Sequence, residues 1–136
     1  MFPRVSGHRS IELGLPGEQR ARLLGFVLHG RKRATAGLLA EYDREGEALE
    51  HVGEELALLD DAGQPVAWVR VTRVELRAFA DVPWEFAEAE AEGDTCIEDW
   101  RQGHLAFWTT VGEVVTDTTP VVLIWFELLP RGYSPV

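Results

Sequence analysis

A basic turn at residues 30–35, which reads GRKRAT, carries the first side chains capable of chemistry. Lys32 is the single lysine among thirteen basic residues. A lysine can lose its proton when it is desolvated, whereas an arginine effectively cannot. Lys32 could therefore act as a base toward the Thr35 hydroxyl, or it could hold a carbonyl oxygen or a phosphate as a plain cation. A solvated basic turn without a chemical role is the alternative.

An acidic segment at residues 85–94 holds five carboxylates in ten positions. On a helix, Glu88 and Glu92 would share one face and Glu90 would point elsewhere. Crowded like charges disfavour joint ionisation, so one carboxyl pKa is expected to rise toward the range that acid–base catalysis needs. A solvated acidic helix is one alternative. A magnesium or calcium site is another, but the spacing matches no calcium loop, so we predict neither a metal nor a cofactor.

A third candidate is one face of a predicted helix that carries Ile97, Trp100, Arg101, His104 and Trp108. These positions follow the helical period. An arginine and a titratable histidine among large apolar side chains are unusual on a buried face. They could line a cleft beside an aromatic surface on which a nucleobase stacks. Alternatively, the arginine pairs with a nearby carboxylate and the histidine forms a local hydrogen bond.

Length and composition restrict the class of protein that can hold these residues. The chain has 136 residues, of which 46% are hydrophobic, so one globular domain over residues 1–136 is expected. A single cysteine excludes an internal disulfide. The sequence shows no secretory signal and no apolar run of membrane-spanning length, so we expect a cytoplasmic protein without a membrane partner.

The charge is distributed unevenly along the chain. The net charge of −10 argues against a protein that coats nucleic acid, and we expect no duplex DNA partner. Residues 1–33 contain seven basic and two acidic residues, whereas residues 34–136 contain six basic and twenty-one acidic residues. A basic end on an acidic body can concentrate an anionic ligand at one place.

The pattern of apolar and turn-forming residues predicts an α+β domain with a small, mostly antiparallel barrel or curved sheet. Residues 1–17 and 42–54 are predicted to be irregular. The predicted strands cover 33–39, 55–60, 65–79 (with a break or bend near Glu75) and 121–128, the last buried on both faces. The predicted helices cover 18–29, a segment from Asp81 to Gly93, and a segment that starts at the capping box of Thr95 and Glu98.

Taken together, these segments resemble the ASCH family, which is related to PUA domains. The match runs from about Glu18 to Leu129. It rests on GRKRATAG at 30–37, which fits the family's G-x-K-x-x-T, and on EY at 41–42, DAGQPV at 61–66, FADV at 79–82, FAEAEAEGD at 86–94 and WRQGH at 100–104. The family's usual E-G-E-G-D occurs here with Ala91 in place of the first glycine. Gly37 stands where members often carry arginine.

The resemblance implies a PUA-like fold, a small mostly antiparallel β-barrel flanked by helices, and a link to RNA or modified nucleosides. Some relatives resemble amidohydrolases that remove the acetyl group from acetylcytidine, and others resemble RNA-binding proteins or ribonucleases. The amidohydrolase-type catalytic set carries over to Lys32, Thr35 and either Glu90 or Glu92. The expected ligand-binding residues are Arg31, Arg33, Tyr42, Asp94, Trp100, Arg101 and His104.

Two functions remain open at this stage. In an amidohydrolase, Thr35 would attack the acyl carbon or position water, Lys32 would accept the proton, and a glutamate would protonate the leaving nitrogen. This requires a neutral Lys32, far from the ordinary lysine pKa of ~10.4; otherwise its ammonium would stabilise the oxyanion. In a binding module, Arg22, Arg31 and Arg33 would contact phosphates, and Trp100 or Trp84 would stack a base. The expected partner is a nucleoside, a nucleotide or a short single-stranded RNA, and the oligomeric state is not predicted.

Overall fold

In the computed structural model, which describes residues 1–135, six strands form one sheet and four α-helices pack around it. The expected α+β class is confirmed. The strands are β1 (Arg4–Val5), β2 (His8–Ile11), β3 (Ala34–Leu38), β4 (Glu55–Leu59), β5 (Pro65–Ala78) and β6 (Pro120–Leu128). The helices are α1 (Glu18–Leu28), α2 (Leu39–Glu45), α3 (Trp84–Glu90) and α4 (Ile97–Thr110), with a 3₁₀ turn at Phe79–Asp81.

The sheet has the strand order β1-β2-β4-β5-β6-β3. Only β2 and β4 pair in parallel, and the other neighbours are antiparallel, as predicted. The two end strands, β1 and β3, do not pair with each other within residues 1–135. The sheet is therefore open, and the expected closed barrel is not formed.

Strand β6 is buried on both faces, which confirms the interpretation of its continuous apolar run. Val122, Ile124 and Phe126 pack into a first core together with residues of α1. Val121 and Leu123 pack into a second core together with α3 and α4. Because successive side chains of a strand point to opposite faces, one apolar run supplies both cores.

Of the break or bend predicted near Glu75 in strand β5, the structure has no break, and the irregularity lies a few residues earlier. A bulge between Val71 and Arg73 accommodates the length of this strand and shifts its pairing with β6. A bulge inserts one unpaired residue, so odd-numbered side chains before it and even-numbered side chains after it point to the same face of the sheet. Val69 lies in the first core before the bulge, and Val74 packs against that core after it. Arg73 does not share their face: its guanidinium lies 4.2 Å from the ring centroid of Trp125.

Two segments predicted as irregular contain regular structure. The first seventeen residues include β1 and β2, and β2 is fixed by parallel pairing of Ser10 with Ala57, far away in the chain. Residues 39–45 form α2, inside a stretch partly assigned to a loop. Its single buried side chain is Tyr42, and it ends at Gly46, whose φ of 66° is left-handed. One apolar anchor is too little to produce a visible helical period.

The helix boundaries near the site differ slightly from those predicted. Helix α1 ends at Leu28, just before Gly30 with its φ of 78°. Helix α3 begins after Pro83 and ends at Glu90, because Ala91 adopts a left-handed φ of 55°. Before α4, the N-cap is Cys96, and Thr95 donates its hydroxyl and its backbone N–H to Asp99 at 2.7 and 3.3 Å, so the capping box predicted for Thr95 and Glu98 does not form. No helix within residues 1–135 has the length and apolar character needed to cross a bilayer.

Candidate functional site

The centre of the candidate site is the ammonium of Lys32, which is only 1% exposed. Its Nζ donates to Glu92 Oε2 at 2.6 Å, to Glu90 Oε2 at 3.1 Å and to the backbone oxygen of Ala34 at 2.7 Å. An ammonium has three N–H donors, so all three are used. A buried cation is tolerated only when it is paired and hydrogen-bonded in this way.

Two backbone features bring the basic turn and the acidic segment together. The N–H of Arg33 donates to the carbonyl of Ala89 at 2.8 Å, which ties the turn after α1 to the end of α3. On a continued helix, Glu90 and Glu92 would point in different directions. The left-handed residue Ala91 ends the helix between them, so both carboxylates reach Lys32. The predicted pairing of Glu88 and Glu92 on one face is therefore wrong.

Glu90 is locked in place by partners on both of its oxygens. Its Oε1 accepts a hydrogen bond from Trp100 Nε1 at 2.5 Å and lies 3.0 Å from His104 Nε2. The ring of His104 stacks on the ring of Trp100 with centroids 4.0 Å apart. Trp100 is 0% exposed, so it offers no surface on which a base could stack. Its role in the site is to hold the Glu90 carboxylate by a hydrogen bond.

The electrostatics of the cluster set its protonation. Burial by itself would lower the pKa of Lys32, but the charges of Glu90 and Glu92 outweigh it and hold that pKa above its ordinary value. Lys32 is therefore an ammonium at neutral pH, the opposite of what a neutral proton acceptor requires. For Glu90, burial is outweighed by Lys32 and His104, which keep its pKa well below the ordinary range.

The pKa values of Glu92 and His104 are raised, whereas the pKa of Glu90 is lowered. Burial and the neighbouring charge of Glu90 raise the pKa of Glu92, whose side chain is 21% exposed. Burial alone would lower the pKa of His104, but the Glu90 carboxylate overcomes this and raises it. Of the two carboxyl groups, Glu90 is thus the one held as an anion, and Glu92 is the one that is more easily protonated.

The same carboxylates and imidazole form a set that could coordinate a metal ion. Ligand atoms of Glu90, Glu92 and His104 lie within 4.8 Å of one another. However, the Lys32 ammonium already contacts both carboxylates. A divalent ion at that position would meet its positive charge at close range, so the local charge balance favours lysine as the resident cation.

A cavity of about 220 Å³ opens onto this cluster. Lys32, Thr35, Glu92 and His104 all face it. Its remaining walls come from the chain before α1, from α1, from the loop between α3 and α4, and from α4; they include Leu13, Gln19, Arg22, Asp94, Phe107 and Trp108. The lysine, the threonine and both candidate glutamates therefore share one hollow.

A second cavity of about 260 Å³ adjoins the first. Both cavities are lined by Leu13, Gly14, Thr35, Ala36, Phe107 and Trp108. The second lies between the end of β2, at Ser10 and Ile11, and strand β3, at residues 35–37. The two cavities therefore follow the gap that keeps the sheet from closing into a barrel.

The other predicted ligand-binding residues fall into two groups. Asp94 and His104 line the first cavity, and Tyr42 lines the second. Arg31 and Arg33 are exposed and line neither, and the guanidinium of Arg31 lies 4.3 Å from the ring centroid of Phe26.

Arg101 is also outside both cavities. It donates to the Ala80 carbonyl at 2.8 Å and pairs with Glu98, while its Nε is buried without a hydrogen-bond partner. This matches the local-pairing alternative for Arg101.

Sequence reasoning missed several residues that line the two cavities. Gln19 lies in the first turn of α1 between the exposed Glu18 and the buried Arg20, and nothing in its spacing marks it. Glu41 and Glu50 line the second cavity, although Glu50 lies in a segment predicted to be a solvated loop. Only the strand pairing of the distant β2 brings that loop against β3, so no local pattern could have identified Glu50.

The protein is an α+β domain whose open sheet carries a lysine–glutamate cluster beside the gap between its end strands. A family model for the ASCH domain matches residues 10–130, and the chain belongs to the ASCH domain family. The predicted family is therefore confirmed. None of the curated proteins matches the chain.

Solved structures agree with this assignment. Protein EF3133 from Enterococcus faecalis is 29% identical, with a TM-score of 0.76 over 87% of this chain and 74% of that one. An ASCH domain from Lactobacillus crispatus is 23% identical, with a TM-score of 0.75 over 89% and 80% of the two chains. A mutant ASCH protein from Zymomonas mobilis has a TM-score of 0.51 at 7% identity over 79% and 63%, a likeness of fold alone.

Proposed function

We propose that this protein is an amidohydrolase that removes the acyl group from the exocyclic amine of acetylcytidine-like nucleosides. The observation that carries the proposal is the shared cavity of Lys32, Thr35 and Glu92, in which the lysine is a fixed ammonium beside a carboxyl group of raised pKa. Acyl transfer needs a cation near the carbonyl oxygen, a hydroxyl or water near the carbon, and a group that moves one proton.

Lys32 stabilises the oxyanion in this scheme and does not act as the base. Its contacts with Glu90 and the Ala34 carbonyl hold it in place from the protein side. The amide oxygen of the substrate enters from the cavity and takes over the third N–H, which otherwise donates to Glu92 at 2.6 Å. Negative charge that develops on this oxygen in the transition state is then met by a charge already oriented in a buried site.

Glu92 moves the proton. As a carboxylate, it accepts the proton from the Thr35 hydroxyl, or from a water that Thr35 positions, while the oxygen attacks the acyl carbon. It then returns that proton to the exocyclic nitrogen as the carbon–nitrogen bond breaks, which releases the free amine. When water attacks, the acyl group leaves as the carboxylic acid. When Thr35 attacks, a water that Glu92 deprotonates hydrolyses the acyl-threonine ester, and the proton returns to the Thr35 oxygen. The raised pKa of Glu92 suits both steps, because a group that titrates closer to neutral pH accepts and donates more readily.

Glu90 is a positioning residue in this scheme. Its contacts with Trp100 and His104 leave it no freedom to approach a substrate, but they fix the carboxylate that orients Lys32. Of the two glutamates that the sequence left open, we therefore assign the proton transfer to Glu92.

The test is hydrolysis of acetylcytidine by the wild type and by Glu92→Gln, Thr35→Val and Lys32→Ala. Loss of a general acid–base group is expected to lower kcat by about 10²-fold or more. The matched control is Glu88→Gln on the exposed side of α3, which should retain wild-type activity. Circular dichroism confirms that each variant is folded. Equal rates for the wild type and Lys32→Ala would eliminate this site, and absence of product with the wild type would eliminate the activity.

One observation favours a binding module as the second candidate. Arg22 lines the first cavity, and its guanidinium and that of Arg31 lie 5.7 and 4.3 Å from the ring centroid of Phe26. Arg22 at the cavity and Arg31 outside it, both beside Phe26, offer two cations for a phosphate. The aromatic part of that hypothesis is weaker, since Trp100 is buried and Trp84 lines neither cavity. Binding of short single-stranded RNA with a steep salt dependence and no product would support this candidate.

A further inference from the structure

The second cavity differs from the first in the charge of its walls. Glu12, Glu41 and Glu50 line it, and none of its lining residues, all of which lie in the described chain, is a lysine, arginine or histidine. The first cavity, in contrast, holds the cations Lys32 and Arg22 as well as Glu90, Glu92 and Asp94. A ligand that spans both cavities therefore meets cations only in the first and acidic side chains in both.

Glu50 is the most unusual group in this second cavity. It is only 6% exposed, and its Oε1 accepts a hydrogen bond from the Tyr42 hydroxyl at 2.8 Å. Within residues 1–135 it forms no salt bridge, because Arg9 pairs with Glu47 and Glu54 instead. A buried carboxyl group without a paired cation is costly unless something else donates to it. Burial accordingly raises its pKa.

The remaining walls suit a flat, partly apolar molecule. Phe107 and Trp108 border both cavities, and Thr35 lies at their junction. With an acyl group held at Lys32, the second cavity is the adjoining space into which the rest of the molecule extends past Thr35 in our proposal. In a nucleoside, the part that follows the base is a sugar with two neighbouring hydroxyl donors. Carboxylates bind such ribose hydroxyls in other nucleotide-binding folds.

We infer that the second cavity is a sugar subsite, in which Glu50, oriented by Tyr42, accepts hydrogen bonds from the ribose hydroxyls and the acidic walls exclude phosphate. The inference rests on the proposed function, because it names the substrate class of that same site as free nucleosides, neither nucleotides nor RNA. Glu50 would contact the ligand directly, whereas Tyr42 would act by positioning Glu50.

Equilibrium binding tests this without depending on catalysis. Cytidine, cytosine and cytidine 5′-monophosphate are titrated into the wild type, Glu50→Gln and Tyr42→Phe by calorimetry. Cytidine is expected to bind about tenfold more tightly than cytosine, and also more tightly than the monophosphate, since hydrogen bonds to a charged group are worth about that factor. Glu50→Gln should remove most of the advantage of cytidine while leaving the affinity for cytosine unchanged. Tyr42→Phe should reduce the advantage partially.

The matched controls are Glu88→Gln and Tyr133→Phe, which alter the same residue types outside both cavities. Equal affinities for cytidine and cytosine, no binding of cytidine, equal affinity for the monophosphate, or a Glu50→Gln effect that is the same for both ligands would each overturn the sugar subsite. The proposed function fails separately, if acetylcytidine is not hydrolysed. A sugar preference without hydrolysis would then retain the subsite and reject the enzyme.

Discussion

Replacing Lys32 by methionine is expected to destabilise the protein strongly, because it breaks a buried ion pair from one side. Methionine has a similar length and fills the space, so the expected loss in the free energy of unfolding is mainly electrostatic. Glu90, at 2% exposure, would remain a buried anion. Removing one partner of a buried pair typically costs about 3–5 kcal/mol. Because Trp100 and His104 still contact Glu90, we expect the lower end, about 3 kcal/mol.

The measurement is urea unfolding at pH 7 together with a thermal melt. For a chain of this size, about 3 kcal/mol corresponds to a fall in Tm of about 10 °C. The double variant Lys32→Met/Glu90→Gln should recover about 2 kcal/mol of the loss, since it removes the orphaned charge as well. Arg33→Met, in the same turn but exposed, is the matched control and should change stability by less than about 0.5 kcal/mol.

The reasoning would be refuted by either of two results. One is a free energy of unfolding for Lys32→Met within about 1 kcal/mol of the wild type, below the cost expected for a buried unpaired charge. The other is simple additivity of the two substitutions, because a direct buried contact must give a coupling energy. In either case the lysine would not be the structural counter-ion of Glu90.

Two further predictions concern pH and the backbone. The pKa of His104 is raised in the folded state, so its contribution to stability is complete below its unfolded pKa of ~6.5 and is lost as the pH rises through the folded value. A His104→Gln variant should therefore lose less Tm than the wild type between neutral and mildly alkaline pH, and parallel curves would contradict this. Gly30→Ala should cost about 1 kcal/mol, because φ is 78° although no atom lies within 4 Å of the added Cβ. Gly25→Ala, inside α1 and equally free of contacts, should instead stabilise by about 0.5–1 kcal/mol, so equal urea midpoints for the two variants would contradict the backbone explanation.

Local sequence patterns were sufficient to predict the elements whose own residues show a clear apolar period or run. The apolar period of α1 and the continuous run of β6 predicted those elements to within one or two residues, because each pattern follows directly from the geometry of a helix or a buried strand. The order of the motifs also identified the family and selected Lys32, Thr35 and the pair of glutamates. These predictions depend on residue types and spacing, which the sequence contains.

Only the tertiary structure decided how those residues are combined. The gap in the sheet and the exposure of the cavities depend on the parallel pairing of β2 with β4, which joins positions more than forty residues apart. The protonation of Lys32 depends on the balance between burial and two neighbouring charges, which is a property of the folded site. The left-handed Ala91 turned Glu90 and Glu92 toward one ammonium, and the buried Glu50 came to face the second cavity. Spacing along the chain determines which groups are available, but long-range pairing and dielectric environment determine which of them meet and in which charge state.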